Sequence, residues 1–165
     1  MNKALFLDRD GTINVDTGYV HKASDFHFID GIVDFCHQAQ EKGYKIIVIT
    51  NQSGIARGYF TEEDYQKITQ HMCDEFEKQG VMITDVFHCP DLESPDRKPN
   101  AGLFLKAQKK YVIDMKHSIS VGDKERDIQA GLSAGVGRNY LLSSDSKETK
   151  ATKKISSFKE LEDIL

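Results

Sequence analysis

The chain has 165 residues, 39% hydrophobic and 29% charged, with a net charge of −4 at pH 7. That length holds one domain with a real core and leaves no comfortable room for a second, so residues 1–165 read as a single domain. The acidic balance argues against a nucleic-acid partner, and no apolar run nears the ~20 residues that span a bilayer.

The start, Met1-Asn2-Lys3, runs into four apolar residues and then acid, without the h-region of a secretion signal. Three scattered cysteines, Cys36, Cys73 and Cys89, suit reduced thiols better than a disulfide frame. A cytoplasmic protein with no membrane contact is expected.

Ala4 to Leu7 is a first strand, and it stops abruptly at Asp8, with Asp10 two positions later and Gly11 beyond it. Carboxylates this close repel, so one is protonated, one turns away, or a cation sits nearby. Ile32, Phe35, Cys36 and Ala39 share one helical face before Gly43 stops it. Ile46 to Ile49 is a second strand, leading into Thr50-Asn51-Gln52-Ser53-Gly54. A capping box, Thr61-Glu62-Glu63-Asp64, opens a helix with Tyr65, Ile68, Met72 and Phe76 on one stripe and Gly80 as its stop.

Ile83 to Phe87 is a third strand, followed by a loop carrying Arg97-Lys98-Pro99. Leu103, Phe104, Ala107 and Tyr111 define the next helical face. Ile119 to Val121 is a strand ending in Gly122-Asp123-Lys124, Ile128 and Leu132 mark another helix, and Tyr140 to Leu142 is a last strand. Residues 143 to 154 are nearly devoid of apolar side chains and read as a solvated excursion, before a closing helix with Phe158, Leu161 and Ile164 inward.

The first two strands are continuous apolar runs, as expected when both faces are buried. The fold class is therefore α/β: an open, mainly parallel, Rossmann-like sheet with helices on both faces. No gap holds the ~50 residues of a separate cap domain.

Ligands of such sheets bind at the carboxyl ends of the strands. Asp8, Asp10 and Asp123, the Thr50 hydroxyl and Lys98 would converge there. Singly, each could be a turn residue or a helix cap. Jointly, three carboxylates on one edge call for a bound cation, and oxygen ligands suit Mg²⁺. Given that ion, Thr50 and Lys98 would hold a phosphate, Asp8 would be an ionised nucleophile, and Asp10 would protonate the leaving alkoxide and then take a proton from water.

Asp8-Arg9-Asp10-Gly11-Thr12, Thr50-Asn51, Lys98 and Gly122-Asp123 with Asp127 resemble the four motifs of the haloacid dehalogenase superfamily of phosphatases. In finer detail, residues 8–21, 28–31, 50–60, 97–99 and 121–124 are similar to the heptose-bisphosphate phosphatase branch of that superfamily. The resemblance implies hydrolysis of the 7-phosphate of a heptose 1,7-bisphosphate through a phosphorylated Asp8. It implies Mg²⁺ on Asp8, the Asp10 carbonyl and Asp123. It also implies sugar-phosphate contacts from Asp16, Thr17, Gly18, Tyr19, Asn51, Gln52, Ser53, Arg97 and Lys124. Arg57 is added for the second phosphate, because a bisphosphate needs a cation remote from the metal.

The branch often carries a zinc loop of paired cysteines and a histidine before the Arg-Lys-Pro motif. Here Cys89 stands alone beside His88, which cannot make a tetrahedral site, so no structural zinc is expected. Asp127, one helical turn from Asp123, is expected to hydrogen-bond behind the metal rather than ligate it. A monomer acting on a small phosphorylated sugar is the leading expectation. Histidinol-phosphate phosphatase, polynucleotide 3′-phosphatase and a phospho-acceptor receiver module are the alternatives. Asp10 argues against the last, since a neighbouring carboxyl group speeds loss of the phosphoryl group.

Overall fold

A computed structural model describes residues 1–165. Six parallel strands form one open sheet: β1 (Lys3–Leu7), β2 (Tyr44–Asn51), β3 (Ile83–Cys89), β4 (Ile119–Gly122), β5 (Arg138–Leu142) and β6 (Lys153–Ile155). Their order is β3-β2-β1-β4-β5-β6. The connecting helices are α1 (Ile32–Glu41), α2 (Glu62–Lys78), α3 (Gly102–Tyr111) and α4 (Glu125–Ser133).

Strand period divides the apolar runs between two cores. Leu5 and Leu7 of β1, with Ile46 and Val48 of β2, pack on one face against Phe35 of α1, Met72 of α2 and Phe158. Ala4, Phe6, Ile47 and Ile49 point the other way, against Phe104 of α3 and Ala130 of α4. The α2 capping box forms as the sequence implies: Asp64 N–H donates to Thr61 Oγ1 at 3.1 Å, and Thr61 N–H donates to Asp64 Oδ2 at 2.9 Å.

Three details differ from the sequence expectation. The polar stretch from residue 143 ends in β6, which pairs in parallel with Tyr140–Leu142. Only Ile155 of β6 is buried, so the strand carries almost no apolar signature. The closing segment is a short 3-10 turn, Phe158–Leu161, with both end residues buried. Leu132 lies 45% exposed, outside the α4 core face.

The chain moves outward from β1 to β2 and β3, then returns across β1 to β4. That reversal opens a crevice at the carboxyl ends of the central strands. Asp8 leaves β1 there with its N–H donating to Val121 O at 3.1 Å, so the tips of β1 and β4 are tied together. No helix is long and apolar enough to cross a membrane.

Candidate active site

A cleft of about 330 Å³ lies over these strand tips. Its lining includes Asp8, Asp10, Asp16, Gly18, Tyr19, Asn51, Gln52, Ser53, Arg57, Arg97, Lys98, Asp123 and Lys124. Thr17 and Thr50 fall outside the lining. Thr17 faces solvent, and Thr50 is 1% exposed beneath the cleft floor. The Thr50 hydroxyl accepts the Gln52 amide N–H at 3.0 Å.

Lys98 is the buried cation beside Asp8. Its Nζ donates to Asp8 Oδ1 at 2.9 Å and to Ile49 O at 2.7 Å, and lies 2.7 Å from Asp127 Oδ1. An ammonium has three hydrogens, so all three are committed. Its backbone is clamped as well: Lys98 N–H donates to Asn51 Oδ1 at 3.0 Å, and Asn51 Nδ2 donates to Lys98 O at 3.1 Å. Asn51 thus braces the lysine as well as lining the cleft.

Asp127 spends both oxygens. Oδ1 pairs with Lys98, and Oδ2 accepts the Lys124 N–H at 3.0 Å. Gly122 makes this possible, since a Cβ there would overlap the Asp127 side chain. Gly11 has a similar task. It takes φ +86°, and a Cβ on it would sit inside the Asp123 carboxylate.

Carboxylate oxygens of Asp8, Asp123 and Asp127 lie within 4.8 Å of one another, with Lys98 as the buried positive charge among them. Burial raises the Asp8 carboxyl well above its ordinary range. Repulsion from Asp127 and Asp123 adds to that, against the pull of Lys98. Asp123 is also raised, chiefly by burial. Lys98 is raised despite its burial, because Asp127 and Asp8 hold its proton. Asp123 Oδ1 is buried without a hydrogen-bond partner. An excess of negative charge with an orphaned carboxylate oxygen fits a divalent cation held by oxygen ligands.

Asp10 stands in a separate network. Arg9, fully buried, donates from Nε and Nη2 to Asp10 Oδ1 at 3.0 and 2.9 Å, and from Nη2 to Oδ2 at 3.1 Å. Asn14 Nδ2 donates to Asp10 Oδ1 at 3.0 Å, and Gln52 Nε2 to Asp10 Oδ2 at 3.1 Å. The carboxyl group is therefore fixed in orientation at the cleft wall. Gln52 is 4% exposed, with its amide shared between Asp10 and Thr50.

Sequence reasoning missed four contributors. Arg9 and Asn14 hold Asp10; their position beside and one helical-turn spacing beyond that acid was the available signal. Gly54 lines the cleft where a Cβ would strike the Phe60 and Tyr19 rings. Tyr19 in turn meets the Tyr59 ring edge-on at 4.7 Å, so two loops close one wall together. Arg126, in the first turn of α4, also lines the cleft.

The family described as polynucleotide kinase 3 phosphatase matches residues 3–158. A D-glycero-alpha-D-manno-heptose-1,7-bisphosphate 7-phosphatase of Campylobacter jejuni is 46% identical over 96% of this chain and 93% of its own. A D-glycero-beta-D-manno-heptose-1,7-bisphosphate 7-phosphatase of Helicobacter pylori is 41% identical over 99% of this chain and 98% of its own. Among solved structures, the D,D-heptose 1,7-bisphosphate phosphatase of B. bronchiseptica, complexed with magnesium and phosphate, superposes with a TM-score of 0.83. That protein is 26% identical, covering 94% of this chain and 93% of its own.

Proposed function

This chain belongs to the polynucleotide kinase 3 phosphatase family of haloacid dehalogenase-like phosphatases, and from that membership we propose that it removes the 7-phosphate of D-glycero-D-manno-heptose 1,7-bisphosphate. The observation that carries the reading is the buried Asp8–Lys98 pair at 2.9 Å, set against Asp123 at the floor of a cleft rimmed by cations. It is a nucleophile with a counterion, facing a space suited to a small polyanion. The chain acts as a soluble phosphomonoester hydrolase in nucleotide-activated heptose biosynthesis, as a cytoplasmic monomer without nucleic-acid or membrane partners.

The Asp8 carboxylate, the Asp10 carbonyl and the Asp123 carboxylate would hold Mg²⁺, which when bound neutralises the acidic cluster and draws charge from the phosphoryl oxygens. Asp8 attacks the phosphorus and the bond from phosphorus to the C7 oxygen breaks. Asp10 gives a proton to the departing sugar oxygen. The aspartyl-phosphate on Asp8 then meets a water whose proton Asp10 takes back, and inorganic phosphate leaves.

Lys98 is saturated before substrate arrives. The hydrogen it gives Asp8 Oδ1 is the one free to pass to a phosphoryl oxygen once that carboxylate becomes an ester. Thr50, with donors near Asn51, holds the same group from below. Asp16 to Tyr19, Asn51 to Ser53, Arg57, Arg97 and Lys124 form the sugar-phosphate side.

A panel of heptose 1,7-bisphosphate, histidinol phosphate and a 3′-phosphorylated oligonucleotide tests the assignment by kcat/KM. The bisphosphate is expected to exceed both others by on the order of 10²-fold or more. Preference for either of the others would replace the substrate assigned here.

A further inference from the structure

The cations around the cleft differ in how much of their charge is already committed. Lys98 is saturated by three acceptors. Arg97 donates from Nη1 to the Asp91 carbonyl at 3.2 Å, and Lys124 Nζ lies 3.9 Å from Asp123 Oδ2. Arg57 reaches the Ser53 hydroxyl at 3.4 Å. The Arg126 guanidinium, exposed in the first turn of α4, makes no hydrogen bond and no ion pair within the chain.

The two acids that flank it in the chain are engaged elsewhere. Glu125 accepts from the Thr149 hydroxyl at 2.6 Å and the Lys150 N–H at 2.9 Å. Asp127 is shared between Lys98 and the Lys124 N–H. Neither flanking carboxylate pairs with this guanidinium, and Asp123 on the cleft floor lies nearest Lys124 rather than Arg126.

Building on the substrate reading above, we propose that Arg126 is a specificity residue that binds the anomeric phosphate, the one that stays on the product. A bisphosphate seated with one phosphoryl group at Asp8 must place a second dianion in the same cleft, away from Asp8, Asp123 and Asp127. A guanidinium with all five N–H groups free offers a two-pronged, charge-assisted contact to phosphate oxygens. Lys124 and Arg97 supply charge around it, while Arg126 supplies the uncommitted donors. The residue touches no atom of the bond that breaks, so its effect falls on substrate selection.

The test compares heptose 1,7-bisphosphate with heptose 7-phosphate, which has the same scissile phosphate and lacks the anomeric one. Wild type is expected to favour the bisphosphate. Arg126→Gln is expected to lower that kcat/KM ratio about tenfold or more, mainly through KM for the bisphosphate. Arg126→Lys should recover part of the ratio, which a merely structural role would not do. A wild-type preference left intact by Arg126→Gln overturns the assignment of Arg126 alone. A wild type with no preference overturns the bisphosphate reading and Arg126's role with it.

Discussion

Lys98 and Asp127 form an ion pair at 2.7 Å with side chains only 2% and 7% exposed. The pair joins the third loop to the first turn of α4. It also places a second carboxylate on the ammonium that faces Asp8, which with the Ile49 carbonyl holds the lysine in the cleft. Asp127 is therefore part of the device that aims Lys98.

Replacing Asp127 by Asn tests that role. An amide offers one acceptor where two donors, Lys98 Nζ and the Lys124 N–H, now point. Asp127→Asn is expected to lower kcat on the order of 10- to 100-fold and to weaken Mg²⁺ activation by a similar factor. Thermal unfolding should show a loss of about 1–3 kcal/mol. A variant with normal kinetics and normal stability would mean that Asp127 braces nothing.

The two acids at the end of β1 should separate cleanly in kinetics. Asp8→Asn is expected to abolish turnover and the acid-stable label left on the protein by radiolabelled substrate after quenching. Asp10→Asn should slow turnover by about 10²- to 10⁴-fold, the usual worth of acid–base catalysis. Single-turnover quench experiments distinguish them. Near-normal rates in Asp8→Asn would end the covalent route.

Gly11 links backbone geometry to the acidic cluster. At φ +86° an alanine costs about 1–2 kcal/mol by backbone strain alone. Its methyl group would also have to displace Asp123 Oδ2. Gly11→Ala is expected to raise the Mg²⁺ concentration for half-maximal activity about tenfold or more, because Asp123 no longer meets Asp8 across the site. Titration calorimetry with Mg²⁺ reads this directly, and unchanged affinity would separate the turn from the acidic cluster.

Strand tips were easy to read because β1 and β2 are unbroken apolar runs ending in polar groups. Asp8, Lys98 and Asp123 then followed to one sheet edge, and the structure brings all three to a single cleft. β6 was hidden because an edge strand of three residues, Lys153 to Ile155, buries one side chain and leaves no period to detect. The burial of Arg9 was hidden for the opposite reason. A guanidinium between two acids looks solvated until tertiary packing encloses it with Asp10 and the Val20 carbonyl. The three acceptors of Lys98 come from three separate segments, so no local pattern could show that its donors are full.

The acidic cluster should make stability depend on pH in a particular sense when metal is absent. Asp8 is held above its ordinary range chiefly by burial, and Asp123 likewise. As pH rises past about 4, the unfolded chain gives up these protons first. Native stability then falls until pH passes the raised native values; below the ordinary value there is no such loss. In EDTA, Tm is expected to fall between about pH 5 and pH 8 more steeply for wild type than for Asp8→Asn, which cannot ionise there. Adding Mg²⁺ should raise wild-type Tm, and more at about pH 8 than at about pH 5, because the ion displaces protons from its carboxylate ligands. Scanning calorimetry at the two pH values, with and without Mg²⁺, reads all of these terms. Parallel EDTA curves for wild type and Asp8→Asn would show that Asp8 carries no excess proton in the native cluster.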